Sequence, residues 1–281
     1  MMGMSRPGGT PVLVRGDMPP LHLDPYIPRL SPVHRLDARV KLVLTLAYIV
    51  ALTSLPIHAP LTWPLAFLAL VWLVVWAARL PLGHVLKRSL LALPFTLAAA
   101  ALLFTVPGQP LTTLSLGPVT LTVNQEGLLR FVTVVLKAWL AVQMTVVLSA
   151  TTRFTELLQA LRSLGVPQVL VSIVGFMYRY LFVLVDEVGR MIVARESRSA
   201  RPDGRPGGSV AWRAGVTGRM AGSLFLRSYE RSERIYAAML ARGFDGEVRS
   251  WQTYHLDRGD IALGVLALIV LATVVLSHVV L

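Results

Sequence analysis

The sequence contains no cysteine, which excludes a disulfide framework, a thiolate metal site and a cysteine nucleophile. Acidic residues are scarce, 15 against 27 Lys and Arg, and none lies in the apolar stretches 40–55, 61–78, 90–106, 128–150 and 261–281. A membrane-embedded transferase or hydrolase, or an ion-coupled secondary transporter, needs carboxylates in or at the edge of such stretches. The closest acidic pair, Asp186 and Glu187, is sequential on a helix and points about 100° apart. No Gly-x4-Gly-Lys-Ser/Thr phosphate loop occurs, so the chain is not expected to hydrolyse ATP. Histidines 22, 34, 58, 84, 255 and 278 show no paired ligand spacing, and each reads as a surface or interface residue rather than a metal ligand. Residues 1–31, rich in Pro and Gly, hold no apolar run of the roughly 7–15 residues that a cleavable signal peptide requires.

What is present is apolar: 54% of the 281 residues are hydrophobic and only 15% charged, more than a soluble domain of this length buries. The apolar stretches approach the roughly 20 residues that cross a bilayer core, which predicts five transmembrane helices. A sixth apolar block, 169–185, contains Arg179 and runs into Asp186, Glu187 and Arg190. Connectors 56–60 and 107–127 contain no Lys or Arg, whereas Arg29, Arg35, Arg39 and Lys41 precede the first span, Arg79, Lys87 and Arg88 join the second to the third, and Arg153 and Arg162 follow the fourth. The positive-inside rule then places the N-terminus, the second connector and everything from 151 to 260 in the cytoplasm. A single crossing by 169–185 would put the thirteen arginines from Arg190 to Arg258 outside, so the block reads as a non-crossing helix. Arg130 and Lys137 share one face of the fourth span, directed into the bundle or snorkelling outward. The organisation expected is a cytoplasmic tail at 1–38, spans one to four at 39–150, a cytoplasmic helical region at 151–260 and a last span at 261–281. The net charge of +12 is then a property of one membrane side, explained by topology and anionic lipid, with no nucleic-acid partner implied.

The region 151–260 divides into three helices. Thr152 or Thr155 is a candidate N-cap for a short helix carrying Leu157, Leu158, Leu161 and Leu164, ended by Gly165 and Pro167. The block from 169 continues as a helix of rising polarity until the Pro/Gly-rich stretch 202–208. A further helix runs over 210–242, with Phe225, Tyr229, Ser232, Tyr236 and Met239 on a semi-apolar face and Glu230 and Arg234 paired at i,i+4. Both long helices finish near an arginine, Arg198 or Arg201 in the first and Arg242 in the second. A cation there complements the helix dipole and Gly243 accepts the left-handed backbone. The same arginines could instead dock into acidic pockets of a partner. Spacing leaves both readings open.

RLDARVK at 35–41, TTRFTELLQALRSLGVP at 151–167, ARESRS at 194–199 and SLFLRSYERSERIYAAMLARGFDG at 223–246 together resemble the transmembrane T component of energy-coupling factor (ECF) transporters, in particular the cobalt-type CbiQ branch. The resemblance covers nearly the whole chain after residue 31. It implies an all-α integral membrane protein with about five transmembrane helices and a cytoplasmic pair of long coupling helices. It also implies a non-catalytic subunit of an ABC-type importer for cobalt or nickel ions, or alternatively for a vitamin, in a bacterial or archaeal cell membrane. In the family two Ala-Arg-Gly-like triplets at the helix tips dock into a pair of ATP-binding cassette ATPases. Ala241, Arg242 and Gly243 match the second triplet. Ser197, Arg198 and Ser199 match the first only at the arginine, with Ala200, Arg201 and Pro202 as the competing register, and Ala38 replaces the usual Pro. Substrate capture is implied to belong to a CbiM-like S subunit with a small CbiN-like accessory. ATP and Mg are implied to bind the ATPases and no cofactor this chain. The AAAA run at 98–101 suits a lipid-embedded surface along which another membrane protein slides, or equally a plain lipid-facing structural surface.

Overall fold

The computed structural model describes residues 25–55, 63–90, 97–101, 110–116, 119–199, 209–246 and 257–279, with Pro94 and Leu103 as isolated positions. These form two compact units, one built from residues 1–36, 43–154 and 262–281 and the other from 37–42 and 155–261. The fold is an all-α membrane architecture with one small addition, a two-stranded β-hairpin.

The first unit contains α1 (Pro32–Arg35), most of α2 (Ala38–Ser54), α3 (Trp63–Ala77), α4 (Leu82–Leu90), a 3-10 turn (Leu97–Ala101), strands β1 (Pro110–Leu116) and β2 (Val119–Asn124), α5 (Gln125–Thr151) and most of α9 (Arg258–Val279). Its core follows from helical spacing. On α3, Trp63, Phe67, Val71 and Val75 recur every fourth residue and are buried, while Leu65, Trp72, Leu73 and Trp76 stay exposed. Such an apolar outer face is a liability in water and an asset in acyl chains. On α5 the buried positions Thr133, Leu140 and Val147 recur at seven residues, with Gln143, Met144, Ala150 and Thr151 beside them, the seam that packs on α3 and α4. Tyr48 of α2 enters the same core, its ring edge-on to Phe67 at 5.2 Å and its hydroxyl donating to the Phe67 carbonyl.

Polar contacts fix the register of this bundle. Lys137 neither snorkels nor points away: its ammonium donates to the carbonyls of Thr53 (3.3 Å) and Leu55 (2.6 Å), closing the C-terminal end of α2, and lies 5.9 Å from the Trp63 ring centroid. Trp139 Nε1 donates to Ser89 Oγ on α4. Arg130 shares the face of Lys137, but its Nε is buried without a hydrogen bond among the described residues. Ahead of α2, the end of the expected tail is docked rather than free. Ile27 N–H donates to the Ala150 carbonyl, and Arg153 sits 5.1 Å from the Tyr26 ring centroid. His34 is structural: Nε2 donates to the Ile27 carbonyl, so Nδ1 accepts from the Ser31 hydroxyl.

By length and apolarity three helices can cross a membrane, α5, residues 168–198 and residues 258–277, with Trp63–Ala77 a shorter apolar helix. α2 and α3, at 17 and 15 residues, reach about 25 and 22 Å at 1.5 Å per residue and so fill most of the hydrocarbon core. Most of the expected third span, and the connector 56–60, lie outside the described residues. The connector 107–127 is not a bare loop: β1 and β2 pair antiparallel from Leu116↔Val119 to Pro110↔Asn124, with an irregularity at the open end.

The second unit holds α6 (Phe154–Ser163), α7 (Gln168–Ser199), α8 (Val210–Ala241) and the first residues of α2 and α9. Neither threonine caps α6. Thr155 lies inside the helix, and the Thr152 hydroxyl is buried without a partner among the described residues. The expected stop is present: Gly165 has φ +97°, Gly165 N–H donates to the Arg162 carbonyl and Val166 N–H to the Leu161 carbonyl, the paired bonds of a Schellman end. Leu158 of α6 packs where Gly175 of α7 has no side chain, its Cδ1 3.8 Å from where a Cβ would be. α7 and α8, 32 residues each, run antiparallel and cross. The first half of α7 faces the last half of α8 across one groove, and the reverse halves face each other across another.

Candidate functional site

The tip of α8 is built by its own backbone. Gly243 adopts φ +79°, Gly243 N–H donates to the Leu240 carbonyl (3.0 Å) and Phe244 N–H to the Met239 carbonyl (3.0 Å), again the two bonds of a Schellman motif. Phe244 then packs edge-on against Phe176 of α7 at 6.5 Å and lines one groove with Met239, the apolar contact that accompanies such an end. Arg242 occupies the C-cap, where its N–H donates to the Met239 carbonyl. Its side chain is exposed and forms no hydrogen bond or ion pair among the described residues. Gly243 and the backbone therefore cap the helix, and the Arg242 guanidinium is left over.

The tip of α7 is the counterpart. Arg198 is exposed in the last turn and likewise unpaired among the described residues, while Ser197 turns its hydroxyl back to the Val193 carbonyl (2.9 Å). Ser199 is the final helical residue; the competing Ala200, Arg201 and Pro202 lie outside the described residues. Because α7 and α8 are antiparallel, the structure brings Arg198 and Arg242 not together but to opposite ends of the crossed pair.

Charged side chains meet at the crossing. Glu187, near the middle of α7, pairs with Arg190 on its own helix and with Arg227 of α8 at 3.1 Å. The Arg190 hydrogen bond, reinforced by Arg227, holds the Glu187 carboxyl below the usual carboxylate range. On one side of the crossing a groove of about 530 Å³ is apolar, lined by Ile173, Phe176, Tyr180, Ile235, Tyr236 and Met239. On the other, about 620 Å³ is lined by Arg190, Arg195, Arg198, Arg219 and Arg227 with Glu187 the single acid. The semi-apolar face expected on α8 is rotated. Ser232, Tyr236 and Met239 meet the groove, but Phe225 and Tyr229 are exposed and Arg231 and Ile235 line the contact instead. Glu230 and Arg234 pair as expected, at 3.9 Å and exposed. Among the described residues no group of three or more His, Asp or Glu is arranged to hold a metal ion.

The family model described as CbiQ, cobalt transport protein, matches residues 30–254. The chain belongs to the CbiQ family. It is 27% identical over 234 residues to an uncharacterized protein, MJ1571, of Methanocaldococcus jannaschii, covering 82% of this chain and 77% of that one. It is 31% identical over 235 residues to the energy-coupling factor transporter transmembrane protein EcfT of Heliobacterium modesticaldum, covering 80% and 84%. It is 27% identical over 203 residues to the cobalt transport protein CbiQ of Rhodobacter capsulatus, covering 72% and 76%. The matched region contains all four motifs on which the resemblance rests, and the chain is an ECF-type T component of the cobalt branch. Both arginine-bearing tips of this CbiQ-family chain fall inside it.

Proposed function

We propose that the chain is the energy-coupling subunit of an ECF-type importer for cobalt or nickel ions, and that Arg198 and Arg242 are its contacts with two ATP-binding cassette ATPases. The observation that carries this reading is the pair of exposed, unpaired arginines at opposite ends of one crossed helical pair. Two ATPases related by symmetry offer two like pockets some distance apart, and an antiparallel pair presents two like tips in opposite directions. A guanidinium can make fixed bidentate contacts with acidic groups in such pockets. Closure of the ATPases on ATP would load both tips at once, and the Glu187–Arg227 crossing is where the two helices would pivot.

In this reading the ATPases hold ATP and Mg, a CbiM-like membrane subunit captures the cargo with a small CbiN-like accessory, and this chain catalyses nothing. The N-terminus and 151–260 lie in the cytoplasm of a bacterial or archaeal cell, since α7 as a crossing helix would strand the arginines beyond it outside. The name of the Heliobacterium relative specifies no cargo, which keeps a vitamin importer as the second reading. The test is a pull-down from detergent-solubilised membranes with wild type and Arg242→Glu. Wild type is expected to recover ATPase subunits and a membrane capture subunit, and the variant to lose the ATPases. Retention of the ATPases by Arg242→Glu would return Arg242 to a helix cap. Identifying the cargo bound to the recovered capture subunit separates metal from vitamin.

A further inference from the structure

Two charged residues at the start of α2 are buried. Asp37 is 8% and Lys41 6% exposed. Asp37 caps α2: its Oδ1 accepts from Arg39 N–H (2.8 Å) and its carbonyl accepts from Lys41 N–H (3.2 Å). Its own N–H donates to Oδ2 of Asp260 (3.2 Å), in the first turn of α9. Glu156 occupies the first turn of α6. Lys41 lies within electrostatic reach of Glu156, Asp37 and Asp260 together. Arg39, half-buried, stands 4.0 Å from Asp37. Three helix starts, each carrying a carboxylate, therefore lie within electrostatic reach of one buried lysine.

Each part of this arrangement has a physical reason. The positive ends of three helix dipoles repel when brought together, and a carboxylate in each first turn removes that repulsion. Three carboxylates then repel each other unless a cation sits among them, which Lys41 supplies. A buried ion cluster is weak support for stability, because an apolar replacement of like volume often serves as well; its best-attested use is to fix one arrangement over others. The residues it fixes are telling. Residues 37–42 cluster with 155–261, while α2 runs on as the first apolar helix, and α9 likewise begins with this unit and continues as the last one.

We propose that Lys41, with Asp37, Glu156 and Asp260, is a positioning hub that locks the starts of α2, α6 and α9 to the unit of the long crossed helices. Displacement of those helices is thereby delivered to α2 and α9. Lys41 touches neither nucleotide nor cargo and acts through the helices it joins. The inference rests on the transport reading above, and its signature is uncoupling: ATP is consumed at an ordinary rate while less cargo moves.

The experiment uses the full chain assembled with its ATPases and capture subunit in liposomes, with radioactive Co2+ as the probe, Ni2+ in parallel, and hydrolysis and uptake read in the same vesicles. Lys41→Met is expected to keep the ATPases bound and hydrolysis within about two-fold of wild type, while metal taken up per ATP falls about ten-fold or more, in the range of ordinary coupling factors. Lys41→Arg, which retains the cation, should keep at least half the wild-type ratio. Asp260→Asn, which keeps an acceptor for the Asp37 N–H but loses the charge, should fall in the same direction. It serves as the independent arm should Lys41→Met fail to fold. The double variant should be no worse than the poorer single one, because both break the same hub. An unchanged ratio in Asp260→Asn, or a loss in Lys41→Met matched by hydrolysis and not restored by arginine, overturns the hub. Wild-type complexes that show no ATP-driven uptake of either metal overturn the metal-transport reading itself, and the hub with it.

Discussion

Arg242 can be removed without removing the cap, and that separates its two roles. In Arg242→Ala the N–H to Met239 and the Gly243 and Phe244 bonds all persist, and the lost side chain had no partner among the described residues. The folding cost is then only the dipole contribution, about 0.3–1 kcal/mol at an exposed helix end. Gly243→Ala does the converse. It keeps the guanidinium but puts a Cβ on a residue at φ +79°, with no atom within 4 Å of it, so the penalty is purely conformational and amounts to about 1–2 kcal/mol. Thermal unfolding of the purified subunit in detergent should therefore rank Gly243→Ala below Arg242→Ala. Binding should rank them the other way. A docking arginine that acts as a hot spot contributes about 2 kcal/mol or more, so at about 1.4 kcal/mol per tenfold its truncation weakens ATPase binding by roughly 30-fold. Titration of immobilised subunit with the ATPases measures that directly. If Arg242→Ala is the less stable variant and binds ATPases as well as wild type, the arginine is a cap and the reasoning fails.

Other outcomes follow from single contacts. Arg79 has φ +54° at the end of α3, where Leu80 N–H donates to the Val75 carbonyl and Arg79 N–H to the Trp76 carbonyl. Arg79→Gly should raise stability by about 1 kcal/mol in thermal unfolding, since glycine takes that backbone without penalty; no change would mean the turn is not left-handed in the membrane. Lys137→Met uncaps α2 and should cost about 1–2 kcal/mol, the lower part of the range for charged hydrogen bonds because the site is only part-buried, with faster amide exchange at the end of α2 as the direct readout. Gln143 is fully buried and both its amide atoms lack partners among the described residues, so Gln143→Leu should stabilise by about 1–2 kcal/mol. A loss there would reveal a hidden partner. Because the Glu187 carboxyl is held below its ordinary value of 4.5, its contribution is present above that value and is lost as pH falls through the lower folded one. Spin labels at Met191→Cys and Ser223→Cys, clean in a chain without cysteine, should keep their separation from about pH 8 to 5 and spread only below about 4.5. Spreading near pH 6 would put the crossing on other groups.

The elements that the sequence revealed are those set by signals a few residues apart. The apolar run 128–150 became α5, and the expected helix over 210–242 stops within a residue of its observed end, because Gly243 announces the left-handed turn locally. The hairpin was missed although Thr and Leu alternate around Gly117 and Pro118, a period-two signal overshadowed by the neighbouring apolar runs. On α8 the spacing of aromatic residues marked an apolar face, but the face toward α7 is turned from it, since periodicity along one helix does not fix which stripe its neighbour covers.

Length, apolarity and the one-sided distribution of arginine determined by themselves that this is an all-α membrane protein with a charged helical region, because the cost of leaving a charge or an open backbone in lipid is paid residue by residue. Only the tertiary structure decided what those charges do. Lys137 closes a helix more than eighty residues away, Asp37 at the start of α2 bonds Asp260 at the start of α9, and Arg198 and Arg242 stand at opposite ends of an antiparallel pair. Which partner a charge meets depends on packing between distant segments, and no local periodicity encodes it.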